Sequence, residues 1–192
     1  MNKNDKLQLT KDKLITATIK LMEETDDPLL VTSREIAAEA DCRPAMINYC
    51  FGSREELIYC VFEKLYTDYL KSPEFTAIIN SDISPKEVLK QLHFLVSGFL
   101  IDNYKFTKAL TGFVLFKRNL SREAFSYQYV LRHYNGRKNE EECKVIAYEL
   151  STMMQLIIYR KDDFEKTFGI DLNNKDELRK LIDLRVDLLL GE

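Results

Sequence analysis

Apolar residues return every three or four positions along almost the whole chain, and no stretch alternates apolar and polar residues as a half-buried strand would. The pattern predicts an all-α protein. Thr10 is placed to cap a first helix with Leu14, Thr18, Leu21 and Met22 along one side, ended by Pro28. Thr32 or Ser33 then caps a short helix over 34–40 whose Ile36, Ala37 and Ala40 face inward. A second short helix follows over 44–50, with Pro44 at its start, where a missing N–H costs nothing. Ser53 with Glu56 three residues on is a capping-box pattern opening a helix to about residue 70, carried by Leu57, Ile58, Val61, Phe62 and Leu65. Ser72-Pro73 and Ser84-Pro85 are further starts, the second opening a helix to about residue 101. Helices are also predicted over 105–119, 122–135, 140–167 and 175–190. Asn135-Gly136, Gly169 and Asn173-Asn174 punctuate them.

Composition narrows the class. The 192 residues are 45% apolar and 31% charged, with few Gly and Pro, as expected of a soluble, globular, helix-rich protein. The organisation expected is a small domain over 1–52 and a larger one over 53–192. The first residues are polar and charged, so no secretory signal is visible. The longest apolar run, residues 94–101, is too short to span a bilayer and contains Ser97 and Gly98. The expected location is cytoplasmic, without membrane contact. Cys42, Cys50, Cys60 and Cys143 form no CxxC pair and have no His at zinc-ligand spacing. They read as free thiols, with a redox pair of Cys42 and Cys50 as the alternative and no metal expected.

Net charge is −3, and residues 1–57 hold eight Lys/Arg against eleven Asp/Glu, so bulk charge does not advertise nucleic-acid binding. The distribution is more informative. Lys3, Lys6, Lys11 and Lys13 cluster at the start, with Arg43 and Arg54 further on, whereas Glu23, Glu24, Asp26 and Asp27 crowd the far end of the first helix.

The segment 32–57, TSREIAAEADCRPAMINYCFGSREEL, carries the functional signal. Two short helices joined by a tight turn suit presentation of the second to a DNA groove. Ala37 and Ala40 are small where the helices must cross, Cys42 is an apolar plug, and Asp41 occupies a position favouring left-handed backbone. Arg43, Pro44, Ala45, Met46, Asn48 and Tyr49 are then exposed, while Ile47 and Phe51 point inward. Arg43 can grip a phosphate or a guanine edge, Asn48 an adenine or a phosphate, and Met46 a thymine methyl. Tyr49 offers a hydroxyl to a phosphate. The helix start at Gly52-Ser53, with Arg54, can take another.

The order Ile36-Ala37, Ala40, Ile47, Tyr49, Phe51, Ser53, Arg54 and Leu57 closely resembles the DNA-binding signature of the tetracycline-repressor (TetR/AcrR) family. The remainder resembles it only in the number and lengths of helices. The resemblance implies an N-terminal three-helix helix-turn-helix domain and a C-terminal helical domain for ligand binding and dimerisation. It implies phosphate contacts from Thr32, Arg43, Tyr49 and Arg54, and base-facing roles for Pro44, Ala45, Met46 and Asn48. Asp41 stands where the family usually has Gly, and Cys50 where His is common.

Reading a palindromic double-stranded operator takes two such helices about 34–36 Å apart, hence a homodimer. Residues 145–159 are apolar on nearly every face, and together with the last helix resemble the family's two-helix dimer face. Met153, Leu156, Ile157, Leu178, Ile182 and Leu189 are its expected members. Aromatic residues crowd 57–135, the region that in the family surrounds an inducer pocket. Tyr66, His93, Phe94, Tyr104, Phe113, Phe116 and Tyr127 are the expected lining for a small apolar ligand. His93 and His133 are the only histidines, and neither lies near a carboxylate or Ser in a catalytic pattern. The expected function is a ligand-responsive transcriptional repressor without enzymatic activity or cofactor. The competing expectation is a helical small-molecule sensor or carrier without DNA binding.

Overall fold

The computed structural model describes residues 3–118 and 125–191. All regular elements among them are helices, as the apolar spacing predicts. In chain order they are α1 (Lys3–Glu24), α2 (Ser33–Glu39), α3 (Ala45–Phe51), α4 (Arg54–Tyr69), α5 (Pro73–Ile79), α6 (Pro85–Asp102), α7 (Tyr104–Phe116), α8 (Tyr127–Tyr134), α9 (Glu140–Tyr159), α10 (Lys161–Phe168) and α11 (Lys175–Leu190). Position 119 and positions 122–124, assigned above to two helices, lie outside the described residues. The chain divides into two compact units, Met1–Asp68 with Asn103–Val114, and Tyr69–Asp102 with Leu115–Glu192.

In the first unit, Leu14, Met22, Ile36, Ala37, Ile47, Leu57 and Ile58 are completely buried. The same core continues through Val61 into Phe106, Ala109, Leu110 and Val114 of α7. The apolar cluster therefore does not stop at residue 52. The start of α1 departs from expectation. Thr10 is not its cap; its hydroxyl donates to the Lys6 carbonyl at 2.9 Å, inside a helix that already began at Lys3. The preceding Lys, Leu and Gln residues are good helix formers, and a threonine bonded back to i−4 fits within a helix.

In the second unit α6 packs against α5, α8, α9 and α11. It buries Val88, Leu89, Leu92, His93, Val96, Ser97, Phe99 and Leu100. The polar starts behave as their chemistry dictates. Ser72 accepts from Phe75 N–H at 3.3 Å and Ser84 from Glu87 N–H at 3.2 Å. Asn139 and Glu142 form a reciprocal capping box at 2.9 Å in both directions. Asn135 (φ 45°) and Gly136 (φ 84°) take left-handed backbone and stop α8. The predicted single helix over 140–167 is broken at Arg160 (φ −102°, ψ 24°), whose guanidinium turns to Asp163 at 3.0 Å. Apolar periodicity thins there, and α10 contains no buried residue to carry the helix on. Among the described residues no helix is long and apolar enough to cross a membrane.

Candidate nucleic-acid interface

The geometry of α2 and α3 follows from local hydrogen bonding. Thr32 caps α2, accepting from Glu35 N–H at 3.3 Å, while the Glu35 carboxylate accepts from Thr32 N–H at 2.7 Å. That bond, with a second from the Thr32 hydroxyl at 2.9 Å, holds the Glu35 carboxyl below its ordinary range. At the other end Cys42 N–H donates to Ala37 carbonyl at 2.9 Å, and Asp41 N–H to Ala38 carbonyl at 3.1 Å. This is a Schellman closure, which needs a left-handed residue between its two bonds. Asp41 supplies it at φ 50°. The turn then releases the chain at Arg43 and Pro44 directly into α3, whose first bonds run from Met46 N–H to Arg43 carbonyl and from Ile47 N–H to Pro44 carbonyl.

Helix α3 has one anchored side. Ile47 is fully buried, and Met46, Cys50 and Phe51 are half-buried against the same core. Arg43, Pro44, Ala45, Asn48 and Tyr49 are exposed, Tyr49 to 65%. An aromatic ring so exposed beside a fixed helix is available for a partner. Met46 differs from expectation in lying half inside the core, because its position falls between the inward Ile47 and the turn.

Charge around α3 is less acidic than the totals imply. Lys108, from outside this segment, pairs with Asp27 at 3.4 Å, and Lys20 pairs with Glu39 at 2.6 Å, while Glu35 keeps its charge at the α2 cap. Lys6, Lys13, Arg34 and Arg43 make no ion pair among the described residues. Lys11 lies 6.0 Å over the Phe51 ring of α3. Lys11 and Lys13 act electrostatically on Cys50 and Cys42, which places both lysines beside this helix pair. Burial nevertheless pushes both thiols up, keeping them protonated near neutral pH and poor as a redox pair.

Arg54 is a correction. Its guanidinium turns inward, donating from Nε to the Val31 carbonyl and from Nη2 to the Pro28 carbonyl at 3.1 Å, with Glu55 3.6 Å away. Loop carbonyls buried beside it must be satisfied, and this competes directly with a phosphate. Thr32 is exposed, but its hydroxyl is engaged with Glu35. Neither the Arg54 lock nor the Lys20–Glu39 pair has a signal in local spacing, since they join residues 26 and 23 apart and 19 apart, respectively.

The residues expected to line a ligand are divided between the two units. Tyr66, Tyr104 and Phe113 belong to the first unit, where Phe113 packs on Tyr59 at 5.7 Å and Tyr66 stacks on Phe62 at 6.1 Å. His93, Phe94, Phe116 and Tyr127 belong to the second. Phe116 is 82% exposed, so it lines no enclosed pocket within its unit. Tyr127 is a buried core residue with Lys144 over its ring at 5.4 Å, and Phe94 lies under Arg179 at 3.9 Å. A depression of ≈ 240 Å³ occurs elsewhere, in the first unit, between Leu21, Glu24, Thr25, Leu30, Val31 and Glu35.

The expected dimer face needs a similar correction. Ile157, Leu178 and Ile182 are buried within their own unit, and Leu189 is half-buried. Met153 and Leu156 are exposed. They continue Val145 and Tyr148 along α9, and Leu184 and Leu188 are exposed on α11. The inward stripe and this outward stripe are both apolar, so spacing alone could not tell them apart.

No protein-family model matches the chain, and no curated protein matches it significantly.

Proposed function

We propose that the chain is a sequence-specific DNA-binding transcriptional regulator, a ligand-responsive repressor that acts in the cytoplasm as a homodimer on a palindromic operator. One observation carries the reading: α3 is locked to its core by Ile47 while presenting Arg43, Asn48 and a 65% exposed Tyr49. A rigid short helix offering a cation, an amide and a phenol matches what a major groove and its phosphates bind. The resemblance of residues 32–57 to the tetracycline-repressor signature supports the same assignment. Pairing through the outward stripe of α9 and α11 gives the second copy of α3 that a palindrome requires. A ligand that favours one spacing of the paired helices over another then controls release from the operator.

The test is a mobility shift of the purified chain on the DNA upstream of its own coding sequence. Specific retardation that competitor DNA does not remove is expected, and Arg43→Ala and Tyr49→Ala should each weaken it. Failure to shift any duplex at low salt overturns the reading. It leaves the sensor or carrier without DNA binding, which the acidic excess of residues 1–57 favours.

A further inference from the structure

Buried polar groups without partners are uncommon because each forfeits its hydration, so those that persist invite explanation. The second unit holds two at one helix junction. His93 of α6 is 3% exposed, its ring 4.9 Å from that of Phe125, and its Nε2 has no hydrogen-bond partner. Arg185 of α11 donates from Nη2 to the Glu149 carbonyl of α9 at 3.4 Å, which anchors the guanidinium between the helices. Its Nη1 is buried without a partner, and no carboxylate among the described residues pairs with it. Helices α6, α9 and α11 pack on one another, and Lys90, one turn before His93, pairs with Asp187, two residues beyond Arg185, at 3.0 Å, which sets these two stretches of α6 and α11 side by side. One helical turn from these residues lie the buried apolar Leu89, Val96, Leu181 and Ile182, with the buried Ser97, and Lys90, itself paired with Glu87 and Asp187, as the polar neighbours.

We propose that this junction binds an organic monocarboxylate, its carboxylate taken by Arg185 Nη1 and His93 Nε2–H and its apolar body set against Phe125 and the neighbouring aliphatic side chains. The guanidinium supplies one positive charge and the imidazole is neutral, which matches a singly charged head group; a dianionic phosphate would retain uncompensated charge. Arginine's planar fork suits a carboxylate, and the site's buried donors penalise a ligand that lacks an acceptor there. The consequence for operator release rests on the regulator reading above, whereas binding is measured on the chain by itself.

The experiment titrates the full-length chain with octanoate and with 2-naphthoate, each against its matching alcohol, by calorimetry and thermal shift. At least one acid should bind and raise Tm, with its alcohol about tenfold or more weaker, the loss that accompanies removal of a charge-assisted hydrogen bond. Arg185→Met should abolish that preference while its ligand-free Tm stays at or above the wild-type value, because the substitution removes a half-buried cation that no carboxylate among the described residues pairs. His93→Phe, which keeps the ring contact with Phe125, should also lose the preference, and it decides the matter if Arg185→Met fails to fold. Equal binding of acid and alcohol, binding of neither acid, or a preference retained in the variants overturns the site. The upstream DNA is shifted in parallel with and without the acid. A shift with no acid binding sinks the carboxylate site alone, and selective acid binding with no shift sinks the regulator reading alone.

Discussion

Arg54 illustrates how a side chain's role is set by what reaches it first. As a free cation at a helix start it would serve a phosphate; here the carbonyls of Pro28 and Val31 occupy it. Arg54→Ala should therefore destabilise the fold by about 1–3 kcal/mol, the range for leaving buried acceptors unpaired, read as a lower urea midpoint at unchanged slope. An unaltered midpoint would return Arg54 to the DNA-contact set. His93 gives a second residue-scale prediction. Burial first, and then the Arg185 charge, push its pKa down to about 3, below the ordinary 6.5 that it regains on unfolding. Between those values the unfolded chain binds the extra proton, so the stabilisation present above pH 6.5 declines as pH falls toward 3. The slope is at most about 1.4 kcal/mol per pH unit. Urea midpoints at pH 7 and 5 should differ less in His93→Phe than in the wild type; identical differences would mean that the ring is accessible to protons.

At the scale of elements, the α2–turn–α3 unit is specified almost entirely by neighbours in sequence. Thr32 with Glu35 starts it, Asp41 turns it, and Gly52 (φ 91°) ends it. The exposed side of α3 is consequently separable from its anchored side. Arg43→Ala and Tyr49→Ala should each weaken operator binding by about 1–3 kcal/mol, with Tm within a degree or two of the wild type. Ile47→Ala should instead lower stability by about 2–5 kcal/mol through the cavity it leaves. If the two surface variants melted early and the Ile47 variant did not, the anchored and exposed sides would have been exchanged.

For the whole molecule, the outward apolar stripe on α9 and α11 is the feature with most consequence. Val145, Tyr148, Met153, Leu156, Leu184 and Leu188 expose large apolar side chains, Leu188 to 74%. This stripe is the surface through which the proposed homodimer would associate. If the chain forms the proposed homodimer through this stripe, Leu156→Glu and Leu188→Glu should leave it monomeric in light scattering while its helical circular dichroism stays intact. A charge there stays solvated in the monomer and is buried unpaired in the pair. Dimers persisting in both variants would place the association surface elsewhere. Ile157→Glu is not an equivalent probe, because Ile157 is 9% exposed and a charge there would disturb the unit's own core.

The sequence by itself determined the helical class, most helix starts and stops, the buried side of α3 and the left-handed turn at Asp41. Those depend on spacing and on hydrogen bonds spanning a few residues, which local chemistry states directly. Only the tertiary structure decided that Arg54 closes a loop, that Asp27, just beyond α1, is paired with Lys108, and that Leu178 and Ile182 are core while Leu184 and Leu188 are surface. It also decided that the expected aromatic lining divides between two units, and that the stretches of α6 and α11 carrying His93 and Arg185 pack together. The physical reason is common to all of these. An apolar or charged side chain announces that it needs a partner, but which partner reaches it is set by contacts between residues far apart in the chain.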